Sequence, residues 1–521
     1  MSENDGVPPG WAVARLREVT IPCGTRNPRT CGDGEFAYVD IDALDNAHQR
    51  IATPKWLPNG GAPSRARMRI ASGDVLFSLV RPYLKNIALV PDELDDQIAS
   101  TAYCVLRPAE AIASLFLFYF ITQEAFIQSV PTYGNSPPAA RDEEFLDLPL
   151  PIAPLPEQRR IVEKIEELFS MLDAGVAALE RVRANLKRYR ASVLKAAVEG
   201  RLTEEWRAKH PDTEPASVLL NRILQERRRK WEEDQLVKFA EKGQKPPAGW
   251  QAKYKPPAPP DISDLADLPE GWAWASVGQL GMPGQQTVLT GPFGTDLGTG
   301  DMVTAGTPLL TIGCLTHSGL SWAKAVYVSQ TKADELSRYV VRTGDVLFSR
   351  QASVGRAGLV TGQFAGSLIN YHLMRLRLQP QTVIPAYFVV YVRGADTVRD
   401  YVREVNHGAT RDGINTEQLL SMPVALPPLS EQAEIVAEVE RRLSVVDEIE
   451  METTAGLKRA AHLRQSILKR AFEGRLVPQD PTDEPASVLL ERIKEERQQA
   501  TSLASPTRRR HNAGTRQSRK S

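Results

Sequence analysis

The chain has 521 residues, 42% hydrophobic and 25% charged, with 64 basic and 64 acidic side chains and so no formal net charge. That length holds three or four domains with separate cores. Zero net charge excludes a generic polyanion binder, so any nucleic-acid surface must come from local clustering of Arg and Lys. Four cysteines (Cys23, Cys31, Cys104, Cys314) show no C-x-x-C spacing and read as free buried thiols of a reducing compartment. The opening Met1-Ser-Glu-Asn-Asp-Gly lacks an apolar signal core, and no run approaches the ~18 apolar residues of a membrane span, so a cytoplasmic protein is expected.

In chain order, residues 1–150 predict a first mixed α/β domain that opens on Pro9-Gly-Trp11. Within it, Gly73-Asp-Val-Leu-Phe-Ser78 predicts a turn and a half-buried strand, and 115–129 a helix whose apolar run, Leu115 to Ile121, lies in the core. Residues 151–202 predict a long helix starting near Pro156-Glu157, where proline and an acid suit a helix N-terminus. Ile161, Ile165, Leu168, Leu172, Val176, Leu179, Val182 and Leu186 step by three and four residues, the narrow stripe of a coiled coil. Residues 203–267 predict a charged helix and a semi-rigid linker, Lys245-Pro-Pro247 and Lys255-Pro-Pro-Ala-Pro-Pro260.

Residues 268–422 predict a second mixed domain, opening on Pro269-Glu-Gly-Trp272, with its own Gly344-Asp-Val-Leu-Phe-Ser349 strand and a helical run over 386–405. Residues 423–476 predict the second long helix, capped by Ser430, with Ile435, Val439, Leu443, Val446, Ile449, Leu457 and Leu463 as its stripe. Each helix runs some 40 residues, or about 60 Å, and one narrow stripe on so long a helix is buried most economically against the other copy. Residues 477–521 predict a short helix and a disordered basic tail, in which no acid follows Arg497 and Arg508-Arg-Arg510, Arg516, Arg519 and Lys520 cluster.

The chain therefore repeats itself. Glu214-Pro-Ala-Ser-Val-Leu-Leu220 returns as Glu484-Pro-Ala-Ser-Val-Leu-Leu490, Glu199-Gly-Arg-Leu202 as Glu473-Gly-Arg-Leu476, and Pro154-Leu-Pro-Glu-Gln158 as Pro428-Leu-Ser-Glu-Gln432. Gly200 and Gly474 sit where each helix should stop. An offset near 270 residues is too long for a solenoid and describes one large module duplicated in tandem. The helical parts are nearly the same twice and the globular parts differ, so a duplicated scaffold carrying two different surfaces is expected. Its helices should pair, and the Glu-Pro-Ala-Ser-Val-Leu-Leu codas should offer equivalent docking surfaces to two partners.

Catalytic signatures are missing. There is no Gly-Lys dipeptide and so no P-loop, no H-E-x-x-H or Cys/His metal spacing among seven scattered histidines, and no G-x-S-x-G elbow. Gly32-Asp-Gly34 reads as a turn. Asn135-Ser-Pro-Pro138 departs from the N-P-P-[YF] signature of adenine methyltransferases by an inserted Ser and a missing aromatic, and Pro211-Asp212 lacks the acidic-x-Lys pair of a nuclease core. A binding or assembly component without an active site is expected.

The arrangement resembles the specificity (S) subunit of type I restriction-modification systems. The residues that carry the resemblance are the two approaches to the long helices, Leu150-Pro-Ile-Ala-Pro-Leu-Pro-Glu-Gln-Arg-Arg-Ile-Val162 and Met422-Pro-Val-Ala-Leu-Pro-Pro-Leu-Ser-Glu-Gln-Ala-Glu-Ile-Val436. The twin G-D-V-L-F-S strands, Pro269-Glu-Gly-Trp272 and the twin E-G-R-L helix ends add to it. It covers the chain from about Trp11 to Arg497. It implies an α+β fold in which two target-recognition domains are separated by two helices paired as an antiparallel coiled coil, with internal pseudo-two-fold symmetry. Each domain would read one half of a bipartite, asymmetric double-stranded DNA site, and the helices would fix the gap. The resemblance also implies two methyltransferase (M) subunits and, in the restricting complex, two motor-endonuclease (R) subunits as partners. No cofactor would bind this chain; S-adenosylmethionine, ATP and Mg2+ would belong to those partners.

Candidate DNA contacts follow each G-D-V-L-F-S strand: Arg81, Tyr83 and Lys85 in the first head, and Arg350, Gln351, Ser353 and Arg356 in the second, with a solvated loop as the alternative. A second set lies in the loop before each long helix, Asn135 and Arg141 in one half and Arg411 and Asn415 in the other, with a structural turn as the alternative. Arg65, Arg67 and Arg69 alternate as on one face of a strand and suit phosphates, unless that face is merely exposed. Asn370 and His372 share a strand face, with a satisfied core histidine as the alternative. Trp11, Trp272 and Trp274 read as core anchors. The basic tail suits nonspecific, salt-sensitive DNA affinity or plain disorder. Two rival readings stay open: a coiled-coil adaptor that binds only protein, and a solitary restriction or methylation enzyme.

Overall fold

The computed structural model describes residues 7–294, 296–316, 319–351, 354–406 and 413–504. They form two compact units, one of Met1–Glu180 with Thr454–Ser521 and one of Arg181–Thr453. Each unit contains a head, half of each long helix and one coda. The fold is the α+β class expected, duplicated.

The long helices are Leu155–Val198 and Leu429–Phe472, 44 residues each. In the first unit Asp173 pairs with Arg464, and Leu179 packs over Gly456. In the second unit Arg190 pairs with Asp447 and Glu450. In the first unit rising numbers on one helix meet falling numbers on the other, so the segments run antiparallel there. Gly200 and Gly474 follow the helix ends with φ of 73° and 65°, left-handed geometry that glycine adopts at no steric cost. Ser430 lies inside the first turn rather than capping it, since the helix already starts at Leu429. The seam is narrower than the stripe predicted, because Val182, Ile449 and Leu463 are exposed. A 3.6-residue helix drifts away from a strict 3.5-residue repeat, so not every apolar step stays on the seam.

Each head has one sheet that matches in the two copies and one that does not. The matching sheets are antiparallel. In the first head the order is Thr20–Ile21, Tyr103–Pro108, Val75–Ser78, Ile87–Leu89; in the second it is Val288–Thr290, Leu373–Leu376, Val346–Ser349, Ala357–Leu359. The other sheet runs Lys55–Pro58, Glu35–Val39, Gln97–Ser100, Ala66–Ile70 in the first head. In the second head it runs Met302–Val303, Val326–Val328, Thr307–Leu310, Leu368–Ile369. Both contain one parallel pair (Glu35–Val39 with Gln97–Ser100; Thr307–Leu310 with Leu368–Ile369), but in the first head one further strand lies on each side of it, whereas in the second both further strands lie beyond Thr307–Leu310.

The V-L-F-S strands are buried on both faces, not half-buried as predicted. Val75 and Phe77 face a core built with Leu117, Phe126 and Phe145, while Leu76 faces a second core with Val39, Ile70 and Ala99. Val346 and Phe348 pack with Tyr387 and Phe388, and Leu347 with Leu309 and Ile369. Alternation still sorts the side chains; both sorted sets are covered. The aspartate of each Gly-Asp turn is buried as well. Asp74 takes a bidentate guanidinium from Arg107 (2.8 and 2.7 Å) and Asp345 one from Arg377 (2.8 and 3.0 Å). The Ala71 and Arg342 backbone N–H groups each donate to the same carboxylates at 2.8 Å.

The repeated Gly-Trp and Glu-Gln motifs form one joint in each unit. Trp11 Nε1 donates to Glu157 Oε2 (3.1 Å), and Trp272 Nε1 donates to Glu431 Oε2 (2.9 Å). Gln158 Oε1 accepts from the Ala113 N–H and Gln432 Oε1 from the Ile384 N–H, fixing the start of the head helix that packs on the joint. The predicted helical runs are each broken in two, as Ser114–Ile121 with Glu124–Ser129 and Pro385–Gly394 with Asp396–Asn406. Gly394 sits against the first long helix so closely that a Cβ would lie 2.4 Å from the Leu194 carbonyl oxygen. Gly394→Ala must displace backbone and is expected to cost about 1–3 kcal/mol, readable as a lowered thermal transition.

The codas are helices Ala216–Glu241 and Ala486–Ala504. Each is tied to a Gly-Trp turn, Ala216 N–H donating to Gly271 O and Ala486 N–H to Gly10 O, both at 2.8 Å. Ala216 and Leu220 enter the second head's core, and Ala486, Leu489 and Ile493 the first's. These apolar residues of each coda are thus spent on a head, which narrows the docking face expected of it. The Pro-rich stretch is strapped down rather than extended free: Trp250 stacks on Trp231 (5.8 Å between centroids), Tyr254 lies 5.3 Å from Trp231, and Ser276 Oγ donates to Ala258 O (2.6 Å). Cys104 and Cys314 are buried as expected, but Cys31 is exposed and Cys23 half-buried. No helix among the described residues is long and apolar enough to cross a membrane.

Candidate nucleic-acid interface

The two loops singled out in each head are brought side by side by backbone hydrogen bonds. In the first head Ala140 N–H donates to Leu79 O (2.8 Å), Arg81 N–H to Pro138 O (2.9 Å), and Val80 bridges to Ala139. In the second Ile414 N–H donates to Arg350 O (3.0 Å) and Gln351 bridges to Gly413. The residue after each strand also donates its N–H to the turn before the neighbouring strand: Leu79 to Ala102 O (3.0 Å), Arg350 to His372 O (2.9 Å).

This register makes Arg350 the counterpart of Leu79 and Gln351 the counterpart of Val80. Arg81 and Arg350 therefore do not recur at one site, as their positions after the same hexapeptide suggested. One backbone framework carries an apolar pair in the first head, Leu79 buried and Val80 half-buried, and a cation with an amide in the second.

In the first head Arg81 and Lys85 have φ of 51° and 56° and flank the 3-10 turn Pro82–Leu84. Non-glycine residues in left-handed geometry are uncommon and collect at functional turns. The turn exposes Tyr83 and Leu84. Arg81 is exposed and makes no side-chain hydrogen bond or ion pair among the described residues. Lys85 is paired with Glu124 at 3.0 Å. Arg141 lies 4.3 Å over the Tyr133 ring and 3.2 Å from Glu144, to which the Tyr133 hydroxyl donates at 2.6 Å. That shared carboxylate raises the Tyr133 phenol above its ordinary pKa. Asn135 is exposed in the same loop.

Arg67 and Arg69 lie on the Ala66–Ile70 strand of the other sheet, and Arg65 lies in the turn before it rather than on the strand face expected. Arg67 turns back on its own chain, donating to Ala66 O at 2.8 Å, and Arg69 is paired with Asp96 at 2.5 Å. Of that alternating trio, Arg65 alone is exposed without an acceptor among the described residues.

In the second head Arg350 and Gln351 follow the Val346–Ser349 strand, and Arg350 N–H is bonded to the turn that holds Asn370 and His372. Arg356 N–H donates to Ser349 Oγ (2.9 Å) and its side chain is exposed. Asn370 and His372 are not on a strand: they form the turn between Leu368–Ile369 and Leu373–Leu376, where Asn370 Oδ1 accepts from His372 N–H (3.2 Å). Burial and the Arg350 guanidinium lower the His372 pKa, and its Nδ1 is buried without a partner among the described residues. Asn415 is a helix cap, its Oδ1 accepting from Gln418 N–H (2.9 Å) while Gln418 returns the bond. Asn competes well for caps because its short amide reaches the first turn, so this polar loop residue is occupied structurally. Arg411, Ser353 and the basic tail lie outside the described residues. Phe293 and Tyr371, two exposed aromatics in this head, escaped sequence reasoning; Phe293 within Gly291-Pro-Phe-Gly294 is the signal that could have flagged one. No His, Cys, Asp and Glu group among the described residues is arranged to hold a metal ion.

Two heads on one duplicated scaffold, each offering paired loops with a different side-chain set, make the build of a double-headed recognition protein. The profile of the type I restriction modification DNA specificity domain matches residues 10–179 and 300–459, more than half of the chain, and the chain belongs to that family. It is 28% identical over 416 residues to the EcoKI specificity subunit of the type I restriction enzyme of Escherichia coli K12, covering 76% of this chain and 75% of that one. It is 26% identical over 420 residues to the StySPI specificity subunit of Salmonella potsdam, covering 76% and 74%. A solved chain, described in work on complex assembly and conformational transition of the type I R-M system, superposes with a TM-score of 0.60 at 28% identity and covers 90% of this chain and 99% of its own.

Proposed function

We propose that this chain is the non-catalytic DNA-reading subunit of a type I restriction-modification complex, with one head for each half of a bipartite, asymmetric site. The observation that carries this reading is the paired-loop framework, built alike in both heads and furnished with Leu79-Val80 in one and Arg350-Gln351 in the other. Equal frameworks with unequal readers suit two different half-sites. Exposed Arg65 and Arg81 in the first head, and Arg350, Gln351 and Arg356 in the second, are the cations and amide that would meet phosphates and base edges. Two tethered heads on one duplex multiply modest half-site affinities.

The 44-residue helices are the spacer that sets the gap. Val218 and Val488, equivalent residues of the two codas, remain exposed and suit docking of two like methyltransferase subunits; S-adenosylmethionine, ATP and Mg2+ would work in partner subunits. Co-expression with the neighbouring methyltransferase gene, followed by sequencing of host DNA for modified adenine, is expected to give a split motif with a fixed gap. An unmodified genome despite a soluble complex would sink the reading. Inserting one helical turn near Leu179, with its mirror near Met451, is expected to change the gap and leave the half-sites as they were; altered half-site bases would mean that the helices do the reading.

A further inference from the structure

The second head carries an aromatic shelf that the first lacks. Phe293, in the Gly-Pro-Phe-Gly turn after the strand Val288–Thr290, is 52% exposed, and Tyr371, in the turn after Leu368–Ile369, is 38% exposed. Their rings lie 6.5 Å apart and 27° from parallel. The Arg350 guanidinium stands 5.3 Å from the Phe293 centroid, and the His372 ring lies 3.9 Å from that of Tyr371.

The backbone beneath is tightly held. Gly291 N–H donates to Leu373 O (3.0 Å), Arg350 is pinned on both its N–H and its C=O, and a Cβ on Gly291 would lie 2.2 Å from Asn370 O. Matched through the shared sheet, where Leu373 pairs with Ser349 as Tyr103 pairs with Ser78, the residues at Tyr371 and His372 correspond to Thr101 and Ala102. The first head thus has no ring where the second has two, and Leu79 where the second has Arg350.

The two rings stand on two neighbouring turns that the backbone holds together, and both remain open to solvent. A guanidinium held over a ring face loses part of its rotamer freedom before it binds and keeps its donors directed outward. Resting on the proposed DNA-reading role, we propose that Phe293 and Tyr371 are specificity-determining residues for the second half-site. Phe293 positions Arg350 for the bidentate contact with guanine O6 and N7, and the two rings give the neighbouring base pair an apolar surface that excludes water. The ligand is double-stranded DNA with a guanine at that position.

The test uses the full chain assembled with its methyltransferase subunits and duplexes permuted base by base. Phe293→Ala and Arg350→Ala are expected to relax the same position of the second half-site, each lowering discrimination there about 5- to 150-fold, with the first half-site unaltered. Phe293→Tyr keeps the ring and should keep the specificity. Tyr371→Ala should relax an adjacent position, while Tyr371→Phe should not. Unchanged specificity in both alanine variants of the rings would overturn the proposal. So would an equal loss at both half-sites, which marks general destabilisation. A wild-type complex that methylates no split motif would instead sink the functional reading beneath it.

Discussion

Glu431→Ala is expected to be the most damaging single substitution at either joint, costing about 3–5 kcal/mol because it takes the ion-pair partner from the partly buried Arg207 and the acceptor from the buried Trp272 and Thr203 donors. The Glu431 side chain is fully buried and accepts from Trp272 Nε1 (2.9 Å), Thr203 Oγ1 (2.7 Å) and Arg207 Nη1 (2.5 Å). Its partners come from the head (Trp272) and from the segment after the first long helix (Thr203, Arg207), so a carboxylate on the second long helix ties three stretches of chain in the second unit. Glu157 holds the same place in the first unit but is furnished differently. It accepts from Trp11, its Oε1 has no partner among the described residues, and Arg160 is paired with Asp483 instead (2.6 Å).

Burial pushes the Glu157 carboxyl above its ordinary pKa, against the pull of the Trp11 N–H. A raised carboxylate pKa means that the folded form binds the proton more tightly than the unfolded form. That contribution is fully present below the unfolded pKa and is lost as pH rises through the folded one. At neutral pH Glu157→Gln, which keeps an acceptor for Trp11, should therefore be neutral or stabilising, whereas Glu431→Gln should destabilise. Thermal unfolding of the two variants at pH 7 checks the contrast; equal losses would mean that the joints are energetically alike despite their different partners.

The second large effect lies in the Gly-Asp turns. Asp345→Ala is expected to cost about 3–5 kcal/mol, since it strands the half-buried Arg377 guanidinium beside a core strand, and to abolish recognition of the second half-site in the assembled complex. Arg377 is bound through both Nε and Nη2, the fork geometry that Arg–carboxylate pairs favour, and Arg342 N–H loses its acceptor as well. Asp74→Ala should act likewise on the first head through Arg107, whose pKa is raised chiefly by the Asp74 hydrogen bonds. Removing both charges, as in Asp345→Leu with Arg377→Met, should cost less than Asp345→Ala alone. If the double variant were the less stable, the pair would be a net stabiliser rather than a charge that must not be left alone.

These turns mark where local reading stopped. A Gly-Asp pair before alternating apolar residues announces a turn and a strand, because glycine relieves left-handed geometry and period-two alternation sorts side chains to two faces. It does not announce that both faces are covered, since the second cover comes from strands such as Gln97–Ser100 and Leu368–Ile369, about 20 residues further along the chain. The candidate site divided in the same way. Arg81, Arg350 and Gln351 were visible as polar residues after a shared hexapeptide. That Arg350 stands where Leu79 does can be read from the residue after each hexapeptide, but that Arg67 folds onto its own carbonyls and that Asn415 caps a helix became clear only from the hydrogen bonds.

The sequence by itself determined the duplication, the two long helices and their glycine stops, the class of fold and the family. Those features rest on short-range patterns: three-and-four spacing, a left-handed glycine, a motif written twice. Tertiary structure decided which coda completes which head, so that Ala486 closes on Gly10 and Ala216 on Gly271. It also decided which cations stay free for a ligand and which are consumed by Asp96, Glu124 or Glu144. The physical reason is that a charge or a polar loop acquires its role from partners brought near by the chain's long-range course, and no local period encodes that distance.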